Sequence, residues 1–210
     1  MIDINRFHQS PLVPDNTLDP PENRVEHLKH TCKQTTIDGH ILEFGVHTCK
    51  SANIIAQHFP DETVYGFDSF EGLPEDWKIS FNEKFNKHKK GYFALDKLPK
   101  HESNVTLVKG WFDESIPKWL ANNKIEQIKL LHIDGDLYSS AKTVLTMLNK
   151  YIVPGTIVLF DELYPWGRKR YERWAEHEWK ALNEWVEEFS REFDVVSHNR
   201  HQQAAIRITK

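Results

Sequence analysis

KLLHIDGDLYSS (residues 129–140) and GTIVLFDEL (residues 155–163) decide the fold. In each, a short apolar run stops abruptly at carboxylates. Ile128 to Ile133 runs into Asp134 and Asp136, and Thr156 to Phe160 runs into Asp161 and Glu162. Runs this short, β-branched at several positions, are the pattern of strands buried in a parallel sheet. Between them, residues 139–151 set Ala141, Val144, Leu145 and Leu148 on one helical face. Strand, helix and strand make a right-handed crossover, which brings both strand ends to one edge of the sheet. In open α/β sheets ligands bind at that carboxyl edge. Four carboxylates are therefore sent to one place. Like charges at close range repel unless a proton or a cation intervenes. All-oxygen donors favour a hard divalent ion such as Mg²⁺ or Ca²⁺. The plainer alternative is that these acids merely end their strands in water.

Outward from this core, residues 40–46 (HILEFGV) and 63–67 predict two more strands. The helix between them, residues 50–59, turns Ile54, Ile55 and Phe59 inward. Residues 104–108 predict a third strand, and residues 113–122 a short helix. Residues 168–189 predict one long helix with Trp174, Ala181, Trp185 and Phe189 near one face. Strands at 193–197 and 204–209 are separated only by residues 198–203. So short a link cannot make a parallel crossover, so this pair is antiparallel. The expected fold is α/β and Rossmann-like, a mostly parallel sheet with helices on both faces and a C-terminal antiparallel hairpin. In the usual dinucleotide-binding sheet, by contrast, helices separate all the strands.

Residues 1–21 are polar and carry Pro11, Pro14, Pro20 and Pro21. They read as an extended arm or lid. Residues 22–210 read as a single domain, opening on a helix to about Gln34 with Val25, Leu28 and Cys32 at helical spacing. Residues 76–100, rich in Lys and aromatics without a clean period, read as an insertion with a partial helix.

The 210 residues, 39% of them hydrophobic, suit one α/β domain with a sizeable core. A net charge of -4 argues against general nucleic-acid binding. Twelve histidines make the charge sensitive to mild acid. Cys32 and Cys49 give no disulfide framework and suit a reducing cytosol. No apolar run approaches the ~20 residues of a membrane span, and the N-terminus lacks a basic-then-apolar signal pattern.

After the first strand, EFGVHTCKS (residues 43–51) gives a turn with Gly45 and then a helix N-terminus, a cradle for a polar ligand. His47 and Cys49 stand where further glycines of a pyrophosphate loop would be, so a smaller polar group fits better. Asp68 ends the second strand, 23 residues beyond Gly45. An acid there accepts both hydroxyls of a ribose. Its alternative role is to cap the turn DSFEG.

These blocks, with VYGFDSFEGLPEDW (64–77), VKGWFDESIP (108–117), VLFDELYPW (158–166) and HEWKA (177–181), resemble the macrocin O-methyltransferase family over about residues 41–185. The resemblance implies a seven-stranded class I methyltransferase that moves a methyl group from S-adenosylmethionine to a sugar hydroxyl with Mg²⁺. It implies that Glu43 and Gly45 lie by the methionine part of the donor, and that Val46 and Ser51 also belong to the donor site. Asp68 would hold the ribose, with Ser69 and Phe70 beside it, and Gly110 and Trp111 would lie near the adenine. Asp134, Asp161 and Glu162 would bind the metal, Asp134 also bordering the donor, and Asp136 would be the general base. Two departures stand out: Cys49 where many relatives have Gly, and Glu162 where a second Asp is common.

The chemistry agrees. A sugar hydroxyl is protonated at neutral pH, and a bound metal lowers its pKa so that a carboxylate can take the proton. Catechol-type enzymes place a Lys just after a comparable D-x-D; here that position is Leu137. His132 reads as a core histidine. The basic stretches KFNKHKKGY (84–92) and RKRYER (168–173) are solvated faces or contacts for a sugar nucleotide, and Trp166, Trp174 and Trp179 line an acceptor or pack in the core. The partner is a small-molecule acceptor, with no nucleic acid and no membrane, and a homo-oligomer is compatible with this. The competing functions are an O-methyltransferase with an aromatic acceptor and a non-catalytic nucleoside-binding protein.

Overall fold

The computed structural model describes residues 1–14, 20–165 and 171–210. Its seven strands form one sheet. They are β1 (His40–Phe44), β2 (Val64–Asp68), β3 (Val105–Lys109), β4 (Ile128–Ile133), β5 (Ile157–Phe160), β6 (Phe193–His198) and β7 (Ala204–Ile208). Across the sheet the order is β3-β2-β1-β4-β5-β7-β6. β1 to β5 pair in parallel, and β7 runs antiparallel to both β5 and β6. The order reverses direction between β1 and β4, so the carboxyl ends of these two central strands open a crevice.

Alternation along the strands divides the core in two. Phe44, Leu131, Ile133, Val158 and Phe160 pack against α4 (Phe112–Asn122), α5 (Tyr138–Leu148) and α6 (Glu178–Phe189), through Ile116, Val144, Leu145, Leu182 and Trp185. Ile41, Leu130, Ile157 and Leu159 pack against α2 (Pro20–Cys32) and α3 (Lys50–His58), through Leu28, Cys32, Ala52 and Ile55. Every residue of β4 is buried, so the loop that leaves it is fixed from both faces.

Three sequence expectations change. The N-terminal stretch is not simply extended. It carries a one-turn helix, α1 (Asn5–His8), with Phe7 fully buried, 5.7 Å from Trp179 and 6.1 Å from Phe193. Ile2, Ile4 and Phe7 are too few to set a helical period, although all three pack on the core. Val13 donates its N–H to His198 O at 2.8 Å, tying the stretch to the end of β6. The insertion holds a 3₁₀ turn, Glu83–Phe85, rather than a helix. Its shape comes from side chains: Asn86 brackets Ser80 by two bonds of 3.0 Å, and Trp77 N–H donates to His88 O at 2.9 Å.

The third change concerns the long helix expected at 168–189. Residues 168–170 lie outside the described residues. Beyond them a 3₁₀ turn, Trp174–Glu176, is separated from α6 by His177, whose backbone is not helical (φ -110, ψ -125). The His177 imidazole Nε2 lies 2.9 Å from Lys78 O of the insertion. The break thus trades helix continuity for a tie to the insertion, and it starts α6 at Glu178.

Candidate active site

The loop after β1 is shaped by Gly45. Its φ is +99, and a Cβ there would lie 1.8 Å from Asp134 O, so only glycine fits between the ends of β1 and β4. His47 and Cys49 also adopt left-handed backbone (φ 41 and 60), a conformation uncommon for side chains with a Cβ. Asp68 holds this loop, accepting the N–H of His47 at 2.8 Å and that of Phe70 at 2.7 Å. It is therefore both a turn cap and a clamp on the neighbouring loop. An ionised carboxylate has about four acceptor positions, so two bonds leave capacity for a ligand. Burial raises the pKa of Asp68, and the two backbone N–H groups oppose that rise.

Glu43, at the β1 end, is fully buried. The Ser51 hydroxyl donates to it, and His132 Nδ1 lies 3.2 Å from its Oε1. Burial pushes the Cys49 thiol up to about 11 and the Cys32 thiol to about 12. Both stay protonated, which leaves them no nucleophilic role.

The carboxylates meet at the ends of β4 and β5. Oxygens of Asp134, Asp136 and Glu162 lie within 4.8 Å of one another, as do ligand atoms of His132, Asp134 and Asp161. Asp136 reaches this position through left-handed backbone (φ 60). Asp161 accepts from the Gln203 amide and lies 3.4 Å from His132 Nε2. His132 thus stands between Glu43 and Asp161. Glu178 Oε2 accepts the N–H of Glu162 at 3.0 Å, adding a fifth carboxylate that sequence reasoning left without a role. It lies in the HEWKA block, which was its available signal. Arg24 of α2 also escaped notice: its guanidinium contacts Asp161 and lies 3.1 Å from Glu162 Oε1. A lone arginine in a polar helix carries no local signal.

Burial, then mutual repulsion, lifts the pKa of Asp136 well above the carboxylate range. Burial lifts Glu162 and Glu178 likewise, with neighbouring acids adding and Arg24 opposing. Glu162 Oε2 and Glu178 Oε1 are buried without a hydrogen-bond partner. Crowded acids with unpaired oxygens fit a hard divalent cation.

A cavity of about 940 Å³ joins the two halves. Gly45, Asp68, Ser69 and Trp111 line it on one side, and Asp134, Asp136 and Glu162 on another. Glu43, Val46, Ser51, Phe70, Gly110 and Asp161 are not among its lining residues. Trp77, His88 and Phe93 of the insertion, with Tyr171, complete the wall. Of the tryptophans beyond β5, Trp179 packs on Phe7 and Trp174, 5.7 and 5.4 Å away, and neither Trp174 nor Trp179 lines the cavity. Trp166, Arg168, Lys169 and Arg170 lie outside the described residues. Of the basic residues at 84–90, Lys90 lines the cavity and Lys89 pairs with Asp76 at 3.1 Å.

No helix among the described residues is long and apolar enough to cross a membrane. The chain is 26% identical over 161 residues to a mycinamicin III 3''-O-methyltransferase of Micromonospora griseorubida, covering 67% of this chain and 61% of that one. It is 24% identical over 165 residues to a demethyldecarbamoylnovobiocin O-methyltransferase of Streptomyces niveus, covering 66% of this chain and 59% of that one. It therefore spans about three fifths of the length of these relatives. Its fold matches the crystal structure of CalS11, a calicheamicin methyltransferase, with a TM-score of 0.67 at 24% identity, over 89% of this chain and 79% of that one. The class I methyltransferase sheet is thus the fold of this protein. The family model described as macrocin-O-methyltransferase (TylF) matches residues 21–191, and the chain belongs to that family.

Proposed function

We propose that the protein is an O-methyltransferase that uses S-adenosylmethionine and Mg²⁺ to methylate a hydroxyl of a sugar or sugar-containing small molecule. One observation carries this reading: a single cavity is lined both by Asp68 and the Gly45 loop and by Asp134, Asp136 and Glu162. A donor and an acidic, metal-ready centre then share one chamber, which pure nucleoside binding does not require.

In this reading Asp68 holds the ribose hydroxyls, with Ser69 beside it and Trp111 by the adenine. Gly45 admits the methionine end, and Asp134 borders it. Glu43, Val46, Ser51, Phe70 and Gly110 support these groups from positions outside the cavity lining. Asp134, Asp161 and Glu162 hold the ion, which when bound lowers the pKa of the acceptor hydroxyl. Asp136 accepts the proton; a cation bound beside it would lower its raised pKa and leave it ionised for that role. Trp77 and Tyr171 give the acceptor an aromatic wall. Leu137, buried with Leu73, Trp77 and Tyr171, puts an apolar side chain where an amine base stands in catechol-type enzymes. This favours an aliphatic hydroxyl over an aromatic one. The two buried, unpaired thiols suit a reducing cytoplasm.

The test uses purified protein, methyl-labelled S-adenosylmethionine and a panel of sugar nucleotides and glycosides. The reading expects label in an acceptor with Mg²⁺, loss of transfer in EDTA, and recovery when Mg²⁺ is restored. Full transfer in rigorously metal-free protein would remove the ion from the mechanism.

A further inference from the structure

Arg24 belongs to none of the roles assigned above, yet it lies against two of the acids at the centre of the site. Its guanidinium contacts Asp161 and is 3.1 Å from Glu162 Oε1. Among the described residues it is the one arginine or lysine paired with either acid. It is also well positioned. Three residues on, His27 pins the same helix to the sheet, with Nε2 3.0 Å from Ser197 Oγ and Nδ1 3.2 Å from Gln203 Oε1. Gln203 donates in turn to Asp161. Helix α2 therefore presents Arg24 and His27 to one network that ends on the same carboxylate.

A guanidinium at hydrogen-bond distance from a carboxylate oxygen neutralises charge that a divalent ion would otherwise neutralise. The two cations repel, and they draw on the same oxygens of Asp161 and Glu162. We propose that Arg24 is an internal counter-cation of the carboxylate site. It stabilises the protein without metal and competes with the divalent ion, so it sets the metal affinity of the site. This rests on the metal reading given above. It adds a positioning residue supplied by α2, outside the strand ends that furnish the ligands.

The experiment titrates Mg²⁺ alone, without donor or acceptor, into wild-type protein, Arg24→Met and Arg24→Lys, by calorimetry. Melting temperatures are recorded in EDTA. A neighbouring charge within ~4–6 Å shifts a carboxylate's proton affinity by about one to three log units. Arg24→Met should accordingly bind Mg²⁺ about tenfold tighter or more, and melt lower in EDTA. Arg24→Lys, which keeps the charge, should stay near wild type in both. A merely structural arginine would lower the melting temperature without tightening the metal. Unchanged or weaker Mg²⁺ binding by Arg24→Met would overturn the proposal and leave the metal reading standing. If neither wild type nor Arg24→Met binds a divalent ion, the metal reading falls and the competition with it. Should Arg24→Met fail to fold, Arg24→Gln takes its place, with the same expected tightening.

Discussion

Glu178 accepts the backbone N–H of Glu162 at 3.0 Å, so the first residue of α6 fixes the end of β5. Both are buried, at 0% and 3% exposure. Glu178→Gln keeps an acceptor for that N–H, whereas Glu178→Ala leaves a buried donor unpaired. An unpaired buried donor costs about 1–3 kcal/mol. Urea denaturation in EDTA should place Glu178→Ala below Glu178→Gln by about that much. Equal stabilities would mean that the bond does not hold the strand end.

Gly45 should tolerate no side chain. Gly45→Ala would set a Cβ 1.8 Å from Asp134 O, a backbone atom, in a residue with φ +99. The ends of β1 and β4 would have to separate. A large fall in melting temperature is expected, together with loss of S-adenosylhomocysteine binding in whatever folds. Wild-type binding by Gly45→Ala would contradict the close approach.

His27 should make the fold acid-sensitive. Burial pulls its pKa down to about 3, against 6.5 for the free group. Between those values the unfolded chain binds a proton that the folded chain lacks. Stability is therefore whole above about pH 6.5 and falls as the pH drops toward 3. Asp136, Glu162 and Glu178 act oppositely in metal-free protein. Their folded pKa values are raised, so the stability they contribute is lost as pH rises. The difference between wild type and His27→Gln isolates the histidine. The variant should lose less stability between pH 6.5 and 4.5, by up to about 1.4 kcal/mol per pH unit. Parallel curves would show that His27 does not carry the effect.

The parallel core was legible because its signal is local. Ile128–Ile133 and Ile157–Phe160 are short apolar runs that end in acids, and the short link at 198–203 forces an antiparallel turn. What escaped depends on contacts distant in sequence. Phe7 is buried by Trp179 and Phe193, and Arg24 meets Asp161 across 137 residues. The expected helix through His177 breaks because that residue bonds the insertion, which no helical period records. The strand-end acids were legible as a group. Their arrangement as two groups that share Asp134, one with Asp136 and Glu162 and the other with His132 and Asp161, was not, because strand period alone assigns no roles.

Asp136 and Asp134 should fail differently when made neutral. Asp136→Asn keeps size but cannot act as a carboxylate base. Single-turnover methyl transfer should slow by about 10²- to 10⁴-fold, with Mg²⁺ binding close to normal. Asp134→Asn should lose Mg²⁺ affinity as well. Wild-type transfer by Asp136→Asn would move the base elsewhere.

The central claim is that the cavity beside Asp68 is the donor site. Calorimetric titration of S-adenosylhomocysteine into wild type and Asp68→Ala tests it most directly, with melting curves to show that the variant is folded. A charge-assisted hydrogen bond contributes about 1.5–3 kcal/mol, or roughly 10- to 150-fold in affinity. Saturable one-to-one binding by wild type, weakened by about that factor in Asp68→Ala, is the predicted result. No binding by wild type, or equal affinity in a folded Asp68→Ala, would contradict it.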